Sequence, residues 1–132
     1  VETSFIQTII LGIVIFVSFK FVPRLMAGVP FVDPAKVHED MQNDSDVILM
    51  DVRTKDEFKL DHATNSINVQ PQTFGEDLDS KRPYMGQKIY VICLTSQRAG
   101  MAARKLKGFG FKNIAVVKGG MVRWKKLNLP IT

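Results

Sequence analysis

Residues 88–99 read KIYVICLTSQRA. Lys88 to Ile92 is rich in β-branched side chains, which predicts a short strand ending at Cys93. Leu94, Thr95, Ser96, Gln97 and Arg98 then form a loop, and Ala99 to Lys107 carries strong helix formers, with Gly108 and Gly110 ending the helix. A strand, a tight loop and a helix are one unit of a parallel sheet, and ligands of such sheets bind beyond the carboxyl ends of the strands. A loop running into a helix start aims several backbone N–H groups at its own interior, and the helix dipole adds positive potential there.

The rest of the chain repeats the alternation. Asp33-Pro34 is an N-cap with proline at the first helical position, opening a helix to about Gln42. Val47 to Met50 is an apolar strand ending on Asp51, and Thr54-x-x-Glu57 is a capping box for a helix over Lys55 to Leu60. Ile67 to Val69 reads as a short strand, and Gln70 to Gln87, with Pro71, Gly75, Pro83 and Gly86, reads mostly as loop. Ile114 to Val117 is a further strand, Gly119-Gly120 a turn, and Met121 to Leu127 a last helix. The expected fold class is α/β, a mainly parallel sheet covered by helices on both faces.

The first residues stand apart. Phe5 to Val22, FIQTIILGIVIFVSFKFV, has only Gln7 and Lys20 as strongly polar side chains. As a helix it spans about 27 Å, enough for a bilayer core. Lys20 snorkels to headgroups, Phe19 and Phe21 suit the interface, and Pro23 ends the helix. A buried core helix is the rival reading, but no polar face recurs at helical period. A cleaved signal peptide is the other, and it lacks a basic start and an A-x-A site. The expected organisation is a transmembrane anchor over residues 1–23, a linker over 24–32 and a globular domain over 33–132. Lys20 and Arg24, flanking the C-terminal end of the span, against Glu2 at the other, place that domain on the cytoplasmic side, with membrane lipid as a partner.

Charge and cysteine content narrow the chemistry. The chain of 132 residues carries a formal charge of +5 and one cysteine, so it is no disulfide scaffold. Asp33 to Asp79 holds twelve acidic and four basic residues, whereas Ser80 to Thr132 holds twelve basic and no acidic ones, which favours an anionic ligand or membrane surface. No Walker loop, no G-x-G-x-x-G and no basic stripe interleaved with aromatics is present, so no nucleic-acid partner is expected. His38 and His62 make no cluster of zinc spacing, and neither metal nor cofactor is expected. Cys93 is either a small hydrophobe ending a buried strand or a reactive thiol. In the reactive reading the loop amides, the helix start and Arg98 lower its pKa. Asp51 is a general base or, more simply, the ion-pair partner of Arg53. Arg53 and Glu57 are at helix-pair spacing, and His62 reads as a hydrogen bonder anchoring a turn.

Asp51-Val52-Arg53 with Glu57-Phe58, His62 with Ile67-Asn68-Val69, Cys93 to Arg98, Gly108-Phe109, and Gly119-Gly120 with Trp124 and Pro130 occur in an order that resembles a single-domain rhodanese. The resemblance covers about Asp33 to Ile131. It implies a sulfurtransferase in which Cys93 carries a persulfide and Leu94 to Arg98 bind the substrate, with Asp51, Arg53, Glu57 and His62 in support. It further implies an anionic sulfane-sulfur donor such as thiosulfate and a thiol or cyanide acceptor. The six-residue Cys93–Arg98 loop is one residue shorter than the C-x5-R loop of the related cell-cycle phosphatases, and the smaller ring suits a single outer sulfur. Ser96 departs from the glycine frequent at that position, and Asp61 to Ser66 departs from the usual Gly-His-Ile-x-Gly-Ala turn, where Asn65 takes the positive-φ role. These departures keep open a second reading, a membrane-tethered binding or regulatory module with little turnover.

Overall fold

The computed structural model describes residues 2–77 and 85–132. Five strands, β1 (Phe31–Val32), β2 (Ile48–Asp51), β3 (Ile67–Asn68), β4 (Ile89–Ile92) and β5 (Ile114–Val117), form one sheet in the order β1-β5-β4-β2-β3. Every pairing is parallel. The helices are α1 (Glu2–Ala27), α2 (Pro34–Asn43), α3 (Lys55–Leu60), α4 (Phe74–Asp77), α5 (Gln97–Gly108) and α6 (Gly120–Lys126).

The central strands are buried on both faces, which explains their continuous apolar runs. Side chains alternate between two cores. Ile89, Val91 and Cys93 face Ala102, Ala103 and Leu106 of α5. Tyr90 and Ile92 face Val37 of α2 and Met121 and Trp124 of α6. All five strands run the same way, so the ends of β2, β4 and β5 meet at one edge, and that edge carries the Cys93 loop.

Several boundaries differ from the sequence reading. Phe31 and Val32, expected in a linker, pair with Val116 and Val117 as an edge strand. The α1 helix continues past Pro23 to Ala27, because one missing N–H removes a single helical hydrogen bond and does not forbid helical φ. The expected loop from Gln70 holds a 3₁₀ turn (Pro71–Thr73) and α4, whose Phe74 is buried; its residues 78–84 lie outside the described residues. At the other end of the domain, His62 and Thr132 exchange backbone hydrogen bonds of 3.1 and 2.8 Å, and the Trp124 indole donates to Pro130 O at 2.9 Å.

Over Glu2–Val22, α1 is long and apolar enough to cross a membrane, and none of its residues there is buried. Neither core contains any of these residues. A chain lacking residues 1–24 should therefore remain folded in solution, with the cooperative thermal transition of the parent; a truncated chain that is unfolded by circular dichroism would place α1 within the core.

Candidate active site

The end of β2 supplies a rigid floor. Asp51 is fully buried, and its carboxylate accepts from Arg53 Nε at 3.0 Å, Arg53 Nη2 at 2.9 Å and the Arg53 backbone N–H at 2.9 Å. Arg53 Nη2 also donates to Asp61 O at 2.6 Å, and the Asn68 amide donates to the carbonyls of Asp51 and Arg53. A buried charge pair survives only with this degree of hydrogen bonding. Asp51 is thereby committed to holding the chain, as its ion-pair reading expected.

The chain then enters α3 through the capping box, with Glu57 N donating to Thr54 Oγ1 and Thr54 N donating to Glu57 Oε1, both at 3.2 Å. The expected Arg53–Glu57 pair does not form, because Arg53 is taken up by Asp51. Glu57 instead reaches across to Arg98, which donates from Nη1 to Oε1 at 2.7 Å and from Nη2 to Oε2 at 2.9 Å. The Arg98 guanidinium holds the Glu57 carboxyl down at about 2, so the pair is ionised throughout the neutral range.

The loop itself turns its carbonyls outward. Cys93 O and Leu94 O accept from the N–H groups of Met121 and Val122, at 2.8 and 3.1 Å. Ser96 O accepts from Gly100 N at 2.9 Å, and Ser96 Oγ accepts from Gly119 N at 3.0 Å. Ser96 takes φ −153°, so no glycine geometry is needed there, and its hydroxyl serves the loop's attachment. With the carbonyls so engaged, amides turn inward. Ala99 N donates to Cys93 Sγ at 3.3 Å, and the N–H groups of Thr95 and Arg98 also favour the sulfur anion.

This union depends on Gly120. Its φ is +57°, and a Cβ there would lie 2.4 Å from both Cys93 O and Thr95 O and 2.7 Å from Leu94 C. Sequence reasoning placed Gly119-Gly120 as a turn and missed that it forms the back wall of the loop; the signal was a glycine pair directly between an apolar strand and a helix. Asn65 takes φ 67°, as its turn role requires.

One electrostatic expectation is overturned. Burial pushes the Cys93 thiol above its ordinary value, outweighing the amides of Ala99 and Thr95 and the Arg98 charge that act the other way. The sequence reading counted Arg98 as a full free charge and did not see burial; Arg98 still favours the sulfur anion, but it is paired with Glu57 and burial outweighs it.

The remaining site residues fall in three places. Leu94 is 43% exposed at the loop's outer face, and Thr95 hydrogen-bonds Gln97. Thr95, Ser96 and Gln97 line a cleft of about 420 Å³ with Lys20, Phe21, Phe31 and Lys118. His62 does not join the loop: its ring stacks on Phe58 with centroids 3.7 Å apart, and Nδ1 lies 2.8 Å from Phe58 O. Among basic residues of the second half of the chain, Arg123 pairs with Asp33 at 2.8 Å and Lys125 pairs with Asp61, while Lys118 lines the cleft beside the loop. Among the described residues, no three His, Cys, Asp or Glu side chains gather to hold a metal ion.

The rhodanese-like domain family matches residues 34–127. The adenylyltransferase and sulfurtransferase UBA4 of Candida albicans is 32% identical over 99 residues, covering 70% of this chain and 23% of its own. The tRNA uridine(34) hydroxylase of Buchnera aphidicola is 32% identical over 94 residues, covering 68% and 30%. The chain thus spans less than a third of the length of these relatives. The polysulfide-sulfur transferase homodimer of Wolinella succinogenes superposes with a TM-score of 0.73 at 26% identity over 88% of each chain. Thiosulfate sulfurtransferase from Pseudomonas aeruginosa shares the fold, with a TM-score of 0.76 at 16% identity over 87% of this chain and 22% of its own.

Substituting Gly120→Ala should lower stability by about 2 kcal/mol or more, from the positive φ and the clash with the loop backbone, and should speed alkylation of Cys93 as the loop opens. Unchanged melting and unchanged alkylation would show that the loop does not rest on Gly120.

Proposed function

The chain belongs to the rhodanese-like domain family, and from that premise we propose that it is a sulfurtransferase that carries sulfane sulfur as a persulfide on Cys93. The supporting observation is the loop: six residues from Cys93 to Arg98, closed around one sulfur, carbonyls tied outward and amides inward. A ring of this size accommodates one additional sulfur and is too tight for a phosphate. The resemblance of its motifs to single-domain rhodaneses and its similarity to sulfurtransferases among relatives support the same reaction.

The chemistry needs only residues of the loop. The Cys93 thiolate attacks the sulfane sulfur of a donor such as thiosulfate, the S–S bond breaks, and sulfite leaves with the electron pair, giving Cys93–S–S⁻. The inward amides share the charge of the outer sulfur. A thiol or cyanide acceptor then attacks that sulfur and the Cys93 thiolate leaves. Leu94 to Gln97 shape the approach, Arg98 faces the donor, and Asp51, Arg53, Glu57 and His62 hold the loop's surroundings. In the same proposal α1 anchors the domain to a membrane on the cytoplasmic side, supported by its exposed apolar length and by Lys20 at its end.

A second reading, a tethered binding or regulatory module with little turnover, draws on the raised Cys93 thiol, since less thiolate means slower attack. One experiment separates the two. Treated with thiosulfate or an organic persulfide, the chain should show one added sulfur atom on Cys93 by mass spectrometry and transfer it to a thiol, whereas Cys93→Ser should show neither while melting like the parent. A parent chain that gains no sulfur from either donor would leave the binding module as the better account.

A further inference from the structure

The guanidinium of the loop enters the reaction already paired. Both terminal nitrogens of Arg98 donate to Glu57, at 2.7 and 2.9 Å, and Glu57 is itself fixed by Thr54 at the start of α3. The pair is partly exposed, with Arg98 at 40% and Glu57 at 30%, so it is open to solvent at the loop's end. A dianion meeting a paired guanidinium gains far less than one meeting a free cation, since the carboxylate repels it at nearly the same distance. The site's other attractions for anions are the inward N–H dipoles, which suit a single negative charge on sulfur, and Lys20 and Lys118, which line the adjoining cleft rather than the sulfur's seat.

We propose that Glu57 is the specificity-determining residue of this loop: by neutralising Arg98 it turns the Cys93 site from dianionic donors of the thiosulfate type toward singly charged organic persulfides. The inference rests on the sulfurtransferase reading and names the donor class for the same site. The buried thiol fits that class. Proton exchange between Cys93–SH and a persulfide anion, R–S–S⁻, gives the thiolate and the neutral electrophile R–S–SH together, an uphill step that the following attack draws forward. Cys93–S⁻ then attacks the outer sulfur, the R–S bond to that sulfur breaks, and R–S⁻ leaves with the electron pair and recovers the proton. The sum is Cys93–SH + R–S–S⁻ giving Cys93–S–S⁻ + R–SH, balanced in atoms and charge. Thiosulfate is a far weaker base than a persulfide anion, so the same proton exchange assists it far less.

Glu57→Gln isolates the charge, because glutamine keeps the capping box and the size of the side chain. The full chain in detergent is mixed with thiosulfate or with glutathione persulfide, and the rate at which Cys93 gains sulfur is followed by quench and mass spectrometry. The parent should load from the persulfide at least tenfold faster than from thiosulfate. Glu57→Gln should raise the thiosulfate rate about fivefold to tenfold, change the persulfide rate less than twofold, and lower the pH midpoint of Cys93 alkylation. The double variant Glu57→Gln with Arg98→Gln should lose the thiosulfate gain, which a merely structural role for Glu57 would not produce. Should Glu57→Gln fail to fold, Glu57→Asp, whose shorter carboxylate loosens the pair, should show a smaller gain of the same sign. Equal changes for both donors, a fall with thiosulfate, or a gain that survives loss of Arg98 would overturn the assignment of Glu57 alone. A parent chain that loads from neither donor would overturn the sulfurtransferase reading beneath it.

Discussion

Two hydrogen bonds from the start of α6, Met121 N to Cys93 O and Val122 N to Leu94 O, settle which way the loop after β4 faces. A helix has spare N–H groups in its first turn, and a loop has carbonyls that must be satisfied somewhere. Joining the two uses the spare donors of one element to satisfy the acceptors of the other, and the loop amides are then left pointing at the sulfur. The contact is close enough that position 120 holds only glycine without moving backbone. The parallel order of β4 and β5 brings the loop and the α6 start to the same edge, so the fold and the site share one constraint.

Around that loop the charges divide by task. Asp51 and Arg53 are buried and spend their charge on each other, on Asp61 O and, through their own carbonyls, on Asn68; they hold the end of β2 and the entry to α3. Glu57 and Arg98 form the pair that faces solvent beside the thiol. The sulfur itself is contacted by backbone dipoles, with Lys20 and Lys118 along the adjoining cleft. That arrangement favours a group whose negative charge develops on one sulfur and is released again, and burial holds the resting thiol above its ordinary pKa.

Much of this was legible in the sequence because it is local. The apolar runs Ile89–Ile92 and Ile114–Val117, the Thr54–Glu57 capping box and the strand-to-helix passage at Cys93 are each encoded within a few residues, and the structure has them within one or two positions. What the sequence did not reveal is set by distance. Glu57 and Arg98 are far apart in the chain, so although Asp51 was readable as the partner of Arg53, nothing local pairs Glu57 with Arg98. The two residues of β1 carry too little pattern to be told from a linker; only the edge of β5 makes them a strand. The thiol's direction of shift followed from the same gap, because a helix start and an arginine are visible in sequence whereas burial and a neutralising partner are not.

The central claim is that the loop's inward amides form the seat of a second sulfur. The structure of the chain after persulfidation of Cys93 tests it most directly. The account predicts the outer sulfur inside the ring, within about 3.5 Å of at least two backbone nitrogens between Thr95 and Ala99, with the Met121 and Val122 bonds to the loop intact. An outer sulfur turned away from those nitrogens toward solvent would contradict it.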